Sequence, residues 1–129
     1  MGKHPVYRIA PDLKGNPMQG SANLNVMIKA ARKAARSLQK DFREVEQLQV
    51  SSKGPGDFVS RADRAAQQVI KEELMEARAN YGFLGEEEPE IIGKDPTRRW
   101  IVDPLDGTTN FLHAMPHWAI SIALEHKGE

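Results

Sequence analysis

Apolar residues along the first half of the chain recur every three or four positions. In "SANLNVMIKAARKAARSLQKDF", residues 21–42, Leu24, Met27, Ile28, Ala31, Ala35, Leu38 and Phe42 fall on one helical face. Asn25, Lys29, Arg32, Lys33, Arg36 and Lys40 take the opposite face, and Ser21 stands where a helix cap is wanted. The pattern predicts an amphipathic helix with a basic, solvated side. "SSKGPGDF" interrupts it with glycines around a proline, a loop signal. Helical spacing resumes in "SRADRAAQQVIKEELMEARANYG" through Ala62, Ala66, Val69, Ile70, Leu74 and Ala77. Ser60 and Asp63 match a capping box at its start, and Asn80 to Gly82 supply C-capping residues.

Beyond Gly82 the periodicity changes. "YGFLGEEE" runs from a short apolar segment into three glutamates, "EIIGKDPTRR" is turn-rich, and "WIVD" has the composition of a short buried strand. "HWAISIALEHKGE" offers a longer strand, with β-branched Ile120 and Ile122. Two helices followed by strands predict an α+β layered domain with a small sheet, rather than an alternating βαβ sheet. A sheet of so few strands is marginal without further covering surface, so the chain reads as part of a larger domain. Residues 1–20, rich in proline and glycine, read as an extension, partly disordered, ahead of the domain over 21–129.

Composition narrows the chemistry. The 129 residues carry 18 basic and 18 acidic side chains, so no global field selects nucleic acid, an anionic membrane or an acidic partner. Cysteine is absent, which excludes disulfides, zinc–thiolate sites and thiol nucleophiles and agrees with a reducing cytoplasm. No apolar run approaches the roughly 18 residues that span a bilayer.

What remains is the acidic chemistry of "WIVDPLDGTTNF", residues 100–111. An apolar strand delivers Asp103 at its C-terminal end, where ligands bind in mixed sheets. Pro104 keeps Asp103 extended. The turn can then bring the Asp103 and Asp106 carboxylates to one side, with the Leu105 carbonyl between them. That all-oxygen set suits Mg²⁺, whose charge compensates two adjacent anions. Gly107, Thr108 and Thr109 follow, where close backbone approach and exposed N–H groups can hold a phosphate. The plainer reading is an Asp-Gly turn with Asp103 and Thr108 as caps. Likewise Glu86, Glu87 and Glu88 read as an exposed acidic turn, unless their place at a strand end is functional.

Taken in order, "GDFVSRAD", "GFLGEEE" and "WIVDPLDGTTNF" resemble the N-terminal half of the inositol monophosphatase family, most of all its bacterial, SuhB-like members. The resemblance runs from about residue 21 to residue 129 and implies the layered αβαβα sugar-phosphatase fold. Glu86 matches a metal-ligating and catalytic glutamate, and Glu87 its neighbour, which orients the loop. Asp103 and Asp106 match Mg²⁺-binding aspartates, with the Leu105 carbonyl as a further ligand. Thr108 and Asp63 match the pair that positions and activates the attacking water. The Gly107 and Thr108 amides match the phosphate cradle, and Lys53 approximates a lysine in a loop near the site.

The resemblance thus implies hydrolysis of a small phosphate monoester, such as inositol monophosphate, by metal-activated water. It also implies two or three Mg²⁺ ions, sensitivity to lithium, a cytoplasmic homodimer and no membrane. The family's W-D-x-A-A-G element, which completes the metal site, has no match in this chain. The expectation is therefore a fragment or truncated form with little turnover alone. Alternatives are a haloacid-dehalogenase-like phosphatase, whose D-x-D-G-T motif differs in carboxylate spacing, and a bisphosphate nucleotidase, fructose-1,6-bisphosphatase or histidinol phosphatase. A non-catalytic role in transcription antitermination, through RNA polymerase or associated factors, is a further alternative.

Overall fold

The computed structural model describes residues 17–48, 56–86 and 88–129. Helix α1 (Pro17–Leu48) and helix α2 (Gly56–Ala77) pack against each other. They are followed by strand β1 (Gly82–Leu84), strand β2 (Arg98–Asp106), the short helix α3 (Thr108–Leu112) and strand β3 (Ala119–His126). The strands form one sheet in the order β1-β2-β3. It is mixed: β1 and β2 run parallel, whereas β2 and β3 form the longer, antiparallel pair. Together the two helices and the small sheet bear out the α+β reading.

Both helices are longer toward their N-termini than their capping signals suggest. The first begins at Pro17, so Ser21 lies inside it and residues 17–20 are helical. Proline suits a first helical turn, where its missing N–H costs nothing. The second begins at Gly56, with Asp57 in its first turn favourably placed for the helix dipole, so Ser60 and Asp63 sit in its second turn. It ends at Ala77, three residues before the capping residues at Asn80, and the Arg78 amide still donates to the Leu74 carbonyl.

The buried face of α1 is also rotated from the expected one. Met27, Ala30, Ala34, Leu38 and Val45 are buried, whereas Leu24, Ile28, Ala31, Ala35 and Phe42 are only half-buried. On α2 the buried residues are Val59, Ala62, Ala66, Gln67, Ile70 and Leu74. Alanine on both buried faces lets helices approach closely, and Lys33 Nζ on α1 reaches Glu73 Oε1 on α2 at 2.7 Å. The hydrogen bond from Lys33 holds the Glu73 carboxyl below its ordinary range.

α2 packs on β2, whose Trp100 and Val102 are buried with Phe83 of β1 and Ile122 of β3. At the other end of β2, Phe111 of α3 meets Phe42 and Trp118 with ring centroids 5.4 and 5.3 Å away, both edge to face. No helix among the described residues is long and apolar enough to cross a membrane.

Candidate functional site

The parallel register of β1 and β2 decides where the acids stand. Gly82 pairs with Arg99, Phe83 with Trp100 and Leu84 with Ile101, and there the pairing stops. Glu86 follows two residues past Leu84, and Asp103 two residues past Ile101. Two strands of the same direction therefore deliver Glu86 and Asp103 to the same end of the sheet. Spacing along the chain cannot show this, because residues 85–97 separate the two strands.

Asp103 is buried, at 7% exposure, and pairs in register with Ser121 of β3. Its Oδ1 accepts a hydrogen bond from the Leu105 amide at 3.2 Å. This turn-type bond supports part of the plainer reading, since the side chain folds back over its own backbone. It leaves a buried carboxylate with no ion pair to any described residue. Its oxygens are buried hard donors, of the type that suits a cation ligand.

Pro104 is buried at the point where the β2–β3 register shifts, between Asp103 and Asp106. A residue without an N–H is tolerated in a sheet at such an irregularity. The shift ends the strand on Asp106, half-buried, and on Gly107 in the left-handed region with φ +90°. A Cβ at Gly107 would lie 2.8 Å from the His117 carbonyl oxygen, so the position requires glycine twice over. That same carbonyl accepts a hydrogen bond from Asn110 Nδ2 at 2.8 Å, and the Phe111 amide donates to the Gly107 carbonyl. Asn110 and Phe111 thus close and anchor the turn. Thr108 is exposed at the first position of α3, and no side chain caps that helix, so Thr108 is not the cap the turn reading assumed.

The acidic loop after β1 is pinned at its base. The Phe83 and Ile91 backbones exchange hydrogen bonds of 2.9 and 2.8 Å. Further along, the Arg99 guanidinium bridges Glu125 and Glu90, each at 2.8 Å, and these two carboxylates raise its pKa. Of the glutamates, Glu88 is taken by Lys71 of α2, with Nζ to Oε2 at 2.7 Å. Glu86 is exposed, and its amide donates to Gln67 Oε1 at 3.0 Å. Asp63 stands one helical turn before Gln67 on α2 and is half-buried. Gln67 was missed by pattern, since an amide on a helix normally reads as solvated; its burial at 5% exposure is visible only in the fold.

Lys53 and Glu87 lie outside the described residues. Glu86, Asp103 and Asp106 share one end of the sheet, but no group of three His, Asp or Glu side chains among the described residues converges as a metal-binding set. The donors present are all hard oxygens, which fit magnesium by type.

Residues 21–129 match the model of the inositol monophosphatase family. The chain is 65% identical over 112 residues to the inositol-1-monophosphatase of Rhizobium meliloti (strain 1021), covering 87% of this chain and 42% of that protein. It is 40% identical over 105 residues to Nus factor SuhB of Escherichia coli (strain K12), covering 81% and 39%. A crystal structure of the extragenic suppressor protein suhB from Bartonella henselae is similar, with a TM-score of 0.73 at 53% identity. That similarity covers 84% of this chain and 40% of the other. The chain thus spans about two fifths of the length of these relatives.

Proposed function

Because the chain belongs to the inositol monophosphatase family, we propose that the complete protein hydrolyses small phosphate monoesters, of the inositol monophosphate type, with magnesium. The observation that carries this reading is the delivery of Glu86 and Asp103 to one sheet end by parallel β1 and β2.

In this reading Glu86, Asp103, Asp106 and the Leu105 carbonyl hold Mg²⁺, two or three ions in the complete enzyme. Bound magnesium supplies the Lewis acidity that makes a nucleophilic water available near neutral pH and offsets charge on the phosphate and the leaving oxygen. Asp63 and Thr108 orient the attacking water, and Asp63 draws off its proton. The Gly107 and Thr108 amides hold phosphate oxygens, an arrangement supported by the left-handed Gly107 and by the absence of a side-chain cap on α3. Glu87 orients the acidic loop, and Lys53 adds positive charge beside the site. No side chain of the chain needs to attack phosphorus.

The complete protein works as a cytoplasmic homodimer inhibited by lithium, and this chain, without the W-D-x-A-A-G element, turns over little alone. The test is magnesium-dependent phosphate release by the complete protein from inositol monophosphate. A nucleoside bisphosphate, fructose-1,6-bisphosphate and histidinol phosphate serve as comparison substrates. Release from the first above the others supports the reading, and absence of release from all four refutes it. Trapping of a phosphoryl group on Asp103 would instead support a haloacid-dehalogenase-like mechanism.

A second reading is favoured by the 40% identity to a protein named Nus factor SuhB. Here the exposed Arg32, Arg36, Lys40 and Arg43 of α1 form a contact surface for RNA polymerase or its associated factors. Retention of the cellular role by a phosphatase-dead Asp103→Asn protein supports it. Failure of the protein to co-purify with any transcription component counts against it.

A further inference from the structure

Asp63, Gln67 and Lys71 follow at four-residue intervals on α2, and therefore lie along one face of that helix. The last two both grip the acidic loop. Gln67 Oε1 accepts from the Glu86 amide at 3.0 Å, and Lys71 Nζ binds Glu88 Oε2 at 2.7 Å. The fit at Gln67 is close. A Cβ at Gly85 would lie 2.6–2.7 Å from the Gln67 amide atoms, so the loop backbone lies flat against that side chain. Gln67 itself is buried, and a buried polar amide costs stability unless it is bonded. The Lys71 ammonium also lies 5.9 Å from the centroid of the Phe83 ring, within cation–π range.

We propose that Gln67 and Lys71 are positioning residues that clamp the acidic loop onto α2 and hold Glu86 in place as a metal ligand. The proposal deepens the functional reading above and rests on Glu86 being a ligand. Glu86 is an exposed residue on a loop, so the order of the loop backbone bears directly on where its side chain can point. Gln67 fixes the peptide plane at Glu86 itself. Lys71 fixes the loop two residues later and occupies the Glu88 carboxylate, which removes a competing acid from the metal. Outer partners that orient ligands in this way typically contribute about ten-fold or more to metal affinity.

The test uses the complete protein with Gln67→Met, Gln67→Glu, Lys71→Met and Glu86→Gln. Met at 67 keeps the volume and removes the acceptor, whereas Glu keeps an acceptor oxygen. Met at 71 keeps an unbranched apolar chain and removes the charge. Two readouts are taken: hydrogen exchange of the Glu86 and Glu88 amides without metal, and Mn²⁺ binding followed by electron paramagnetic resonance. The expected result is faster exchange and about ten-fold weaker Mn²⁺ binding in Gln67→Met and in Lys71→Met, with both largely restored in Gln67→Glu. Lys71 is half-exposed, so its variant carries the test even if Gln67→Met fails to fold.

Unchanged exchange in Lys71→Met and Gln67→Met overturns the clamp. Faster exchange with unchanged Mn²⁺ binding, while Glu86→Gln weakens binding, overturns the positioning role and leaves the ligand reading intact. Unchanged Mn²⁺ binding in Glu86→Gln locates the failure in the ligand reading and overturns both.

Discussion

Gly107→Ala is the substitution that tests the turn most severely. Two costs add at this position. The first is backbone conformation: φ +90° lies in the left-handed region, which costs an L-residue about 1–2 kcal/mol relative to glycine. The second is space: the new Cβ would stand 2.8 Å from the His117 carbonyl oxygen, which is backbone and cannot rotate away. Relief requires moving the His117 peptide, and that loosens the Asn110 Nδ2 bond it accepts, worth about 1 kcal/mol. The sum is about 2–3 kcal/mol. At a urea slope of about 2 kcal/mol per molar, the unfolding midpoint falls by roughly 1 M or a little more. Gly107→Asn, which tolerates the left-handed region better but keeps the Cβ, should fall between wild type and alanine. Gly56→Ala is the control, because nothing lies within 4 Å of its Cβ position and its φ is not in the left-handed region. A Gly107→Ala midpoint no lower than that of Gly56→Ala would refute the account of the turn.

Three further outcomes follow from the packing and the charges. Phe111→Ala empties a fully buried ring site between Phe42 and Trp118 and should cost about 3–5 kcal/mol in chemical denaturation, with Phe111→Leu recovering part of it. Asp95 is held down to about 2 by the Thr97 hydroxyl, the Arg98 guanidinium and the Thr97 amide. Its folded value is depressed, so its stabilisation is complete above pH 3.8 and is lost as pH falls toward about 2. Melting temperatures of wild type and Asp95→Asn should therefore differ at neutral pH and converge across that window. Glu73 is likewise depressed by Lys33, so Lys33→Met should lower the melting temperature at neutral pH and lose that effect in acid.

Much of this fold is legible in the sequence because it depends on local period. Leu38 and Leu74 repeat at helical spacing, and Trp100 to Val102 form an apolar run that only a buried strand accommodates. The ends of the helices are less legible, since Ser21 and Ser60 look like caps while burial of Val45 and Val59 carries the helices beyond the predicted spans. The candidate site divides in the same way. Asp103 through Phe111 stand together because a tight turn is local, and Asn110 and Phe111 gain their reasons once His117 and Phe42 arrive from elsewhere. The delivery of Glu86 and Asp103 to one sheet end depends on parallel pairing between strands about a dozen residues apart, which no spacing rule encodes. Gln67 is the extreme case: its role consists of one bond to a loop amide, and no property of glutamine in a helix announces it.

The account turns on the claim that the shared end of β1 and β2 is a magnesium site built on Asp103. Titration calorimetry of the complete protein with MgCl₂ measures that claim without reference to substrate. Wild type should bind magnesium, and Asp103→Asn, which keeps the shape and removes the charge, should bind at least about ten-fold more weakly while remaining as stable as wild type without metal. Equal magnesium binding by the two proteins would contradict the account.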